Sequence, residues 1–372
     1  MPDPEKNRRM VGCGCYAVSM FGGAVLLLLL FVLFPAFTVG IPMFQAMCVG
    51  AGLAFPMMAV YLVLPRLLDR YDPEPWYALL LALGWGAIAA CGFAALVNTT
   101  IGAVFGDTVG TVLSAPIVEE ASKGILLLGY LYFLRREFDG VVDGIIYACF
   151  IAIGFAAVEN VIYYAQAGLQ GGIIGTFIIR GVLSPWGHPL YTSMTGIGVG
   201  VARETTHPWL RVVAPIAGYC AAVALHATWN GAAVLGGAIG AAGGVLLVLM
   251  ILLWFAFFVA FVAIVVVLVR RRGKIIRAHL IDEVALGHLS QAEVEFVVSL
   301  FGGATAYFRR GKKGVEFVRA VARLALSKWH SERAMKEVKH TVSMDFIIPL
   351  RRRIEVLRAQ GASPVAGPVP RR

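Results

Sequence analysis

Long apolar runs separated by short polar breaks dominate the first 269 positions of the chain. Ala24 to Phe34, Ala78 to Leu96 and Gly244 to Val269 hold no charged residue. A helix needs about 20 apolar residues to cross a bilayer. The pattern predicts spans over roughly 16–37, 42–64, 77–97, 110–134, 143–166, 177–201, 212–236 and 245–269. The expected fold class is all-α, a polytopic membrane helix bundle of about eight transmembrane helices. Residues 1–269 are expected to form the membrane core and 270–372 a helical, basic cytoplasmic tail. In the tail, Val315, Val318, Val321, Ala322, Ala325 and Leu326 lie near one helical face, and Lys313, Arg319 and Arg323 fall largely elsewhere. That amphipathic helix is expected to lie on the membrane or pack against a partner. The Pro- and Ala-rich end, 362–372, is expected to be disordered.

Composition strengthens this picture. Apolar residues make up 59% of the 372 and charged ones 15%; mean hydropathy is +0.78. A soluble chain of this length needs more polar surface. The net charge of +10 is unevenly placed. Residues 1–269 carry 11 Lys and Arg against 13 Asp and Glu; residues 270–372 carry 21 against 9. The basic tail suits an anionic cytoplasmic leaflet. No nucleic-acid-binding motif accompanies it, so no nucleic-acid partner is expected.

Alternate short loops hold Arg66 and Arg70, then Arg135 and Arg136, then Arg203 and Arg211. The loops between, 38–41, 98–109, 167–176 and 237–244, hold no Lys or Arg, and only Arg180 lies near that side. The asymmetry places both termini in the cytoplasm of a multi-pass membrane protein. The N-terminal apolar run is too long for a signal peptide and reads as a retained span. Cys48, Cys91, Cys149 and Cys220 fall within spans and read as small packing residues. Cys13 and Cys15 precede the first span, either as lipidation sites or as plain thiols.

Ionisable groups inside spans cost at least about 2.5–3.5 kcal/mol to insert. The chain keeps Glu119, Glu120 and Lys123 in span four, Glu159 and Asn160 in span five, His188 in span six, and His226 and Asn230 in span seven. Glu119 and Lys123, four apart, share a helix face, so the lysine is expected to neutralise that glutamate while Glu120 points about 100° away. His226 and Asn230 also share a face, and Pro189 puts His188 beside a helix irregularity. Two chemistries fit a pocket formed by these helices. A glutamate could act as general base on a water, with His and Asn stabilising an oxyanion. Alternatively His188, His226 and a glutamate, Glu159 among the choices, could hold Zn2+ with an open position for water. Asn160 or Asn230 alone would serve equally well as an interhelical hydrogen-bond partner, and Glu119 with Lys123 as a structural ion pair. Four costly clusters on successive spans are harder to read as structural alone. Ser184, one turn before His188, offers a weak Ser/His alternative that leaves the glutamates unexplained.

Glu119-Glu120-Ala121-Ser122-Lys123, Phe155-x-x-x-Glu159-Asn160, His188-Pro189 and His226-x-x-x-Asn230 resemble, in that order, the motifs of the PrsW family of bacterial intramembrane proteases. That family is distantly related to the CAAX prenyl endopeptidase and bacteriocin-processing superfamily. Arg70-Tyr71-Asp72-Pro73-Glu74-Pro75-Trp76 also resembles a loop of the family, and the likeness covers approximately residues 40–235. It implies an endopeptidase of the bacterial cell membrane that cuts a membrane-anchored protein, an anti-sigma factor in the best-known members, on the outer side. It implies catalytic roles for Glu119, Glu120, Glu159, His188, His226 and Asn230, supported by Lys123 and Asn160. Zinc-dependent and glutamate-dependent mechanisms both stay open.

With the termini inside, Glu119 lies about 13–14 Å, Glu159 about 10–11 Å, and His188 and His226 about 15–17 Å below the outer ends of their spans. The four depths agree although the helices alternate in direction, which predicts one pocket reached from outside. A proton- or ion-coupled transporter is the main alternative, since proton relays also use Glu, Lys and His. No internal repeat of the transporter kind is present. A non-catalytic receptor or scaffold is the third reading.

Overall fold

A computed structural model describes residues 4–68, 71, 73–135, 137–336 and 343–365. Arg70, Asp72, Arg136 and the final residues 366–372 lie outside the described residues. Among the described residues the fold is all-α, with no strand. Two compact units divide it: 1–67 with 74–263, and 68–73 with 264–372.

All eight apolar segments are helical. Six helices are long and apolar enough to cross a membrane. These are α1 (Asn7–Thr38), α2 (Ile41–Arg66), α3 (Trp76–Phe105), α5 (Val141–Leu169), α8 (Leu210–Ala238) and α9 (Ala241–Ala278). The other two segments, the fourth and the sixth, also carry costly chemistry. Helix α4 (Ala115–Phe133) holds Glu119, Glu120 and Lys123 within its apolar length. The sixth segment is divided in two: α6, over 173–183, and α7 (Gly187–Glu204). The break falls at Ser184, whose helical conformation is disfavoured by Pro185. Pro189 sits in the first turn of α7, where its missing N–H is not needed.

Helix α5 is the axis of the first unit and is buried along most of its length, packed against α2, α3 and α7. Small residues permit these close crossings. A Cβ on Gly144 would lie 2.2 Å from the Gly196 carbonyl oxygen, and one on Gly86 1.8 Å from that of Ile151. The outer helices α1, α2, α8 and α9 leave most of their apolar side chains exposed. In soluble proteins that surface would be a liability; in a bilayer it meets lipid. Cys91 and Cys149 are buried as expected of packing residues, but Cys48 and Cys220 are exposed on this outer surface, because they fall on helix faces with no neighbour. All six thiols are free.

In the second unit, α10 (Ile281–Ala285) and α11 (Gln291–Val298) precede α12 (Gly302–Lys336) and α13 (Ser343–Ala359). Ser290 and Glu293 form a reciprocal capping box at the start of α11. Helix α12 kinks at Gly311, whose φ of 61° suits glycine. Most of the apolar face predicted on α12 is buried within this unit: Val318, Val321, Ala322, Ala325 and Leu326 are almost fully covered, Val315 is half-buried, and α12 packs on α13. The start of the predicted disordered end is also tied down. Ala362 is buried, and Ser363 Oγ donates to Glu293 Oε1 at 2.8 Å.

Candidate active site

Helices α4, α5, α7 and α8 bring the four polar clusters together in the first unit. Glu120 is fully buried and acts as their hub. Its Oε1 accepts from Lys123 Nζ at 2.9 Å and lies 3.1 Å from His226 Nδ1; its Oε2 accepts from Thr192 Oγ1 of α7 at 2.8 Å. Lys123 thus pairs chiefly with Glu120, not with Glu119 as the spacing suggested; Glu119 Oε2 stands 3.6 Å away. Spacings of three and four are nearly equivalent on a helix. The groups arriving from α7 and α8 decide between them.

Lys123 has no exposure and is ringed by partners. Beyond the glutamates, Nζ is 3.0 Å from His188 Nδ1 and 4.0 Å from the centre of the Phe155 ring. An ammonium over an aromatic face is stabilised by the ring quadrupole, which gives Phe155 a place in the cluster. His188 Nε2 lies 3.0 Å from Glu159 Oε2. Since a carboxylate only accepts, Nε2 carries the proton and Nδ1 accepts from the lysine. Glu159 also bonds Arg180, whose Nε donates to Asn160 Oδ1 at 2.7 Å and whose guanidinium stacks 3.8 Å over Tyr163. From the sequence, Arg180 lies at the start of a span, near the side otherwise free of Lys and Arg, with no role in the site.

His226 is held from two sides. Tyr191 stacks on its ring at 5.1 Å, and Trp254 Nε1 of α9 donates to the Tyr191 hydroxyl at 2.7 Å. With Nδ1 donating to Glu120, Nε2 faces Glu119 Oε2 at 3.9 Å. That nitrogen is therefore either a lone pair suited to a metal or the second N–H of an imidazolium.

Glu119 differs from the other two glutamates. Its Oε1 accepts from Asn98 Nδ2 of α3 at 3.3 Å, and Asn98 Oδ1 accepts from Ser114 Oγ at 2.8 Å. Its Oε2 is buried with no hydrogen-bond partner. Glu119, His188 and His226 offer ligand atoms within 4.8 Å of one another. Of the glutamates open from the sequence, this trio contains Glu119, while Glu159 is engaged by Arg180 and His188. Three carboxylates face two fixed cations, Lys123 and Arg180, so one negative charge is left over. An imidazolium or a metal ion would balance it.

Glu119, Glu159, Arg180, His188 and His226 line a cavity of about 720 Å3 that also reaches Met57 and Tyr61 on α2, Thr99 on α3 and Asn230 on α8. Asn230 Nδ2 donates to the Thr111 carbonyl at 2.9 Å, in an irregular π-type turn (Gly110–Ser114) just before α4. Ser184 Oγ donates to the Ile179 carbonyl at 2.6 Å rather than to His188, which removes the Ser/His alternative. Asn98 and Arg180 were missed by sequence reading. Asn98 lies one residue beyond the predicted third span and so falls in the 98–109 loop; α3 continues to Phe105 and places it within the helix.

A family model described as PrsW family intramembrane metalloprotease matches residues 74–274. Protease PrsW of Geobacillus kaustophilus is 29% identical over 137 residues, covering 36% of this chain and 58% of that protein. Protease PrsW of Bacillus subtilis is 27% identical over 139 residues, covering 36% and 60%. Protease PrsW of Clostridioides difficile is 43% identical over 86 residues, covering 22% and 34%. The chain spans a little over half the length of the first of these relatives. No solved structure matches it.

Proposed function

The chain belongs to the PrsW family of intramembrane proteases, and from that premise we propose that it is an endopeptidase cutting a peptide bond of a membrane-anchored protein. The observation that carries this reading is Oε2 of Glu119, which has no hydrogen-bond donor and is buried beside His226 Nε2 at the wall of the cavity. A buried acceptor without a partner costs about 1–3 kcal/mol. At a cavity wall such a group is placed to meet a substrate atom or a water.

In this mechanism Glu119 takes a proton from water as the water oxygen attacks the scissile carbonyl carbon. The oxyanion that forms is held by His226, carrying a second proton on Nε2, and by the free amide hydrogen of Asn230. Collapse breaks the C–N bond, and the proton on Glu119 passes to the leaving amine. Glu120, with both oxygens engaged, orients His226 and Lys123. Glu159, itself held by Arg180, orients His188.

A second reading is favoured by the donor set itself. One orphaned carboxylate oxygen and two imidazoles fit Zn2+ in kind, so Glu119, His188 and His226 would hold it. When bound, the ion supplies an acidified water and a polarised carbonyl. In the present arrangement Lys123 occupies His188 Nδ1, which favours the glutamate route. Elemental analysis of active protein before and after chelation separates the two: full activity without metal supports Glu119 as base, and chelator-sensitive activity that tracks zinc content supports the ion.

The substrate is an anti-sigma-factor-like protein, by resemblance. Both termini are cytoplasmic, the site opens outward, and the basic tail beyond about residue 269 rests on the anionic leaflet. Fragments of membrane proteins compared between wild type and Glu119→Ala should differ in a cleaved single-span protein; identical fragment sets would end the protease reading. Thiols placed beside Glu119 or Glu159, in a background lacking other exposed thiols, should react with an impermeant reagent added outside cells. Reaction only in inverted vesicles would reverse the orientation.

A further inference from the structure

The tail exposes an apolar edge bordered by cations. Phe301, Ala304, Tyr307 and Phe308 lie three, four and seven positions apart, so they form one stripe at the start of α12. Gly302 and Ala306, on the opposite side, are buried in the tail. The stripe faces outward: Phe308 is 86% exposed, Phe301 69% and Tyr307 53%, with Leu300 beside them at 69%. Arg309, Arg310, Lys312 and Lys313 follow at once, all exposed, and no Asp or Glu occurs from 296 to 315. Arg309 and Arg310 each donate to a backbone carbonyl, of Pro364 and Ser363 respectively, at 3.2 Å, which holds both guanidiniums at this edge.

We propose that this edge docks on the anionic leaflet facing the tail, with Leu300, Phe301, Tyr307 and Phe308 entering the headgroup boundary and the four cations meeting acidic lipid. The proposal rests on the core being membrane-embedded and deepens the tail's assignment to the leaflet by naming the surface. Three exposed rings and a leucine are unfavourable in water and suit an interface. Four cations without an acid select a negatively charged surface. The tail is covalently continuous with α9, so the edge meets that leaflet at high effective concentration. An acidic protein partner would use the same charges but gains no such proximity.

The test uses the full chain in nanodiscs, with dansylalanine replacing Ala304 and nitroxide lipids as quenchers. Resistance to alkaline extraction first establishes that the protein is integral, so a failure of the membrane reading is seen separately. Quenching is expected in discs containing phosphatidylglycerol and not in pure phosphatidylcholine, and it should weaken with salt. Removing cations singly, Lys312→Ala or Lys313→Ala, should lower the docked-to-free ratio roughly fivefold each. These exposed lysines have no role in the tail's core, so the variants keep the fold. Phe301→Ser with Phe308→Ser should abolish quenching in either lipid. No quenching in anionic discs, or equal quenching in both lipids that ignores the lysine changes, overturns the proposal.

Discussion

Both units bury carboxylates, and they treat them differently. In the tail, Glu283 has no exposure and accepts from Arg351 at 2.6 Å, Lys328 at 2.9 Å and His288 at 3.0 Å. Glu293 accepts from Arg358 at 2.8 Å, from Ser363 at 2.8 Å and from the Ser290 N–H at 2.9 Å. In the membrane core, Glu120 and Glu159 are similarly engaged, but Glu119 leaves one oxygen open. Burial alone fails to separate the carboxylates of the two regions. The unsatisfied atom does, since saturated acids rigidify a fold while an open one can accept a proton.

The sharpest way to break this comparison is to neutralise one acid of each kind. Glu119→Gln should reduce cleavage of the substrate found by fragment comparison by about a thousandfold, as loss of a general base does, with unchanged yield and helicity. Glu283→Gln should leave cleavage within about twofold and instead cost the tail about 1.5–3 kcal/mol, the range for hydrogen bonds to charged groups. Denaturant titration followed by amide exchange in residues 281–298 reads the second effect. A cleavage loss in Glu283→Gln matching that of Glu119→Gln would erase the distinction.

A smaller effect is expected where the open carboxylate is held. Asn98 donates to Glu119 Oε1 and is itself fixed by Ser114. Asn98→Leu keeps the branched shape and removes the donor, so turnover should fall roughly 10- to 100-fold, as it does when supporting hydrogen bonds are lost around a reactive group. KM should stay constant, because Asn98 orients the acid. An equal rise in KM would make it a substrate-binding residue.

Much of this was legible in the sequence. Apolar runs marked the helices, and insertion cost marked Glu119, Glu120, Lys123, Glu159, His188 and His226 as groups that converge. What failed had a shared cause: it depended on neighbours distant along the chain. Lys123 turns to Glu120 because Thr192 and His226 fix that carboxylate from α7 and α8. Arg180, at the start of a predicted span, counted only toward charge asymmetry; an irregular turn (Ile178–Leu183) brings it onto Glu159. The tail's apolar stripe at Val318 to Leu326 could have faced lipid or protein; α13 decided the matter. The stripe that does remain open, Phe301 to Phe308, lies a few residues earlier and was overlooked, because it is short and interrupted by glycines.

The smallest effect should come from acid, and it too separates the units. Burial pushes the Glu283 carboxyl up, but hydrogen bonds from Arg351, Lys328 and His288 outweigh it and hold the group down at about 2. In the unfolded chain a glutamate titrates near about 4.3. A depressed folded value means that the stabilisation is fully present above the unfolded value and disappears as pH falls through the folded one. Glu293 is lowered in the same direction, its burial outweighed by the Ser290 N–H, Arg358 and Ser363. Amide exchange across 281–298 in detergent-solubilised full-length protein should therefore be flat from pH 7 to about 5, once corrected for the intrinsic rate, and accelerate from about 4 downward. Adding Glu283→Gln should remove most of that acid limb, because the variant has already lost what protonation would take away. Retention of the whole limb in the variant would place the acid sensitivity elsewhere and leave the saturated tail carboxylates without the structural role assigned to them.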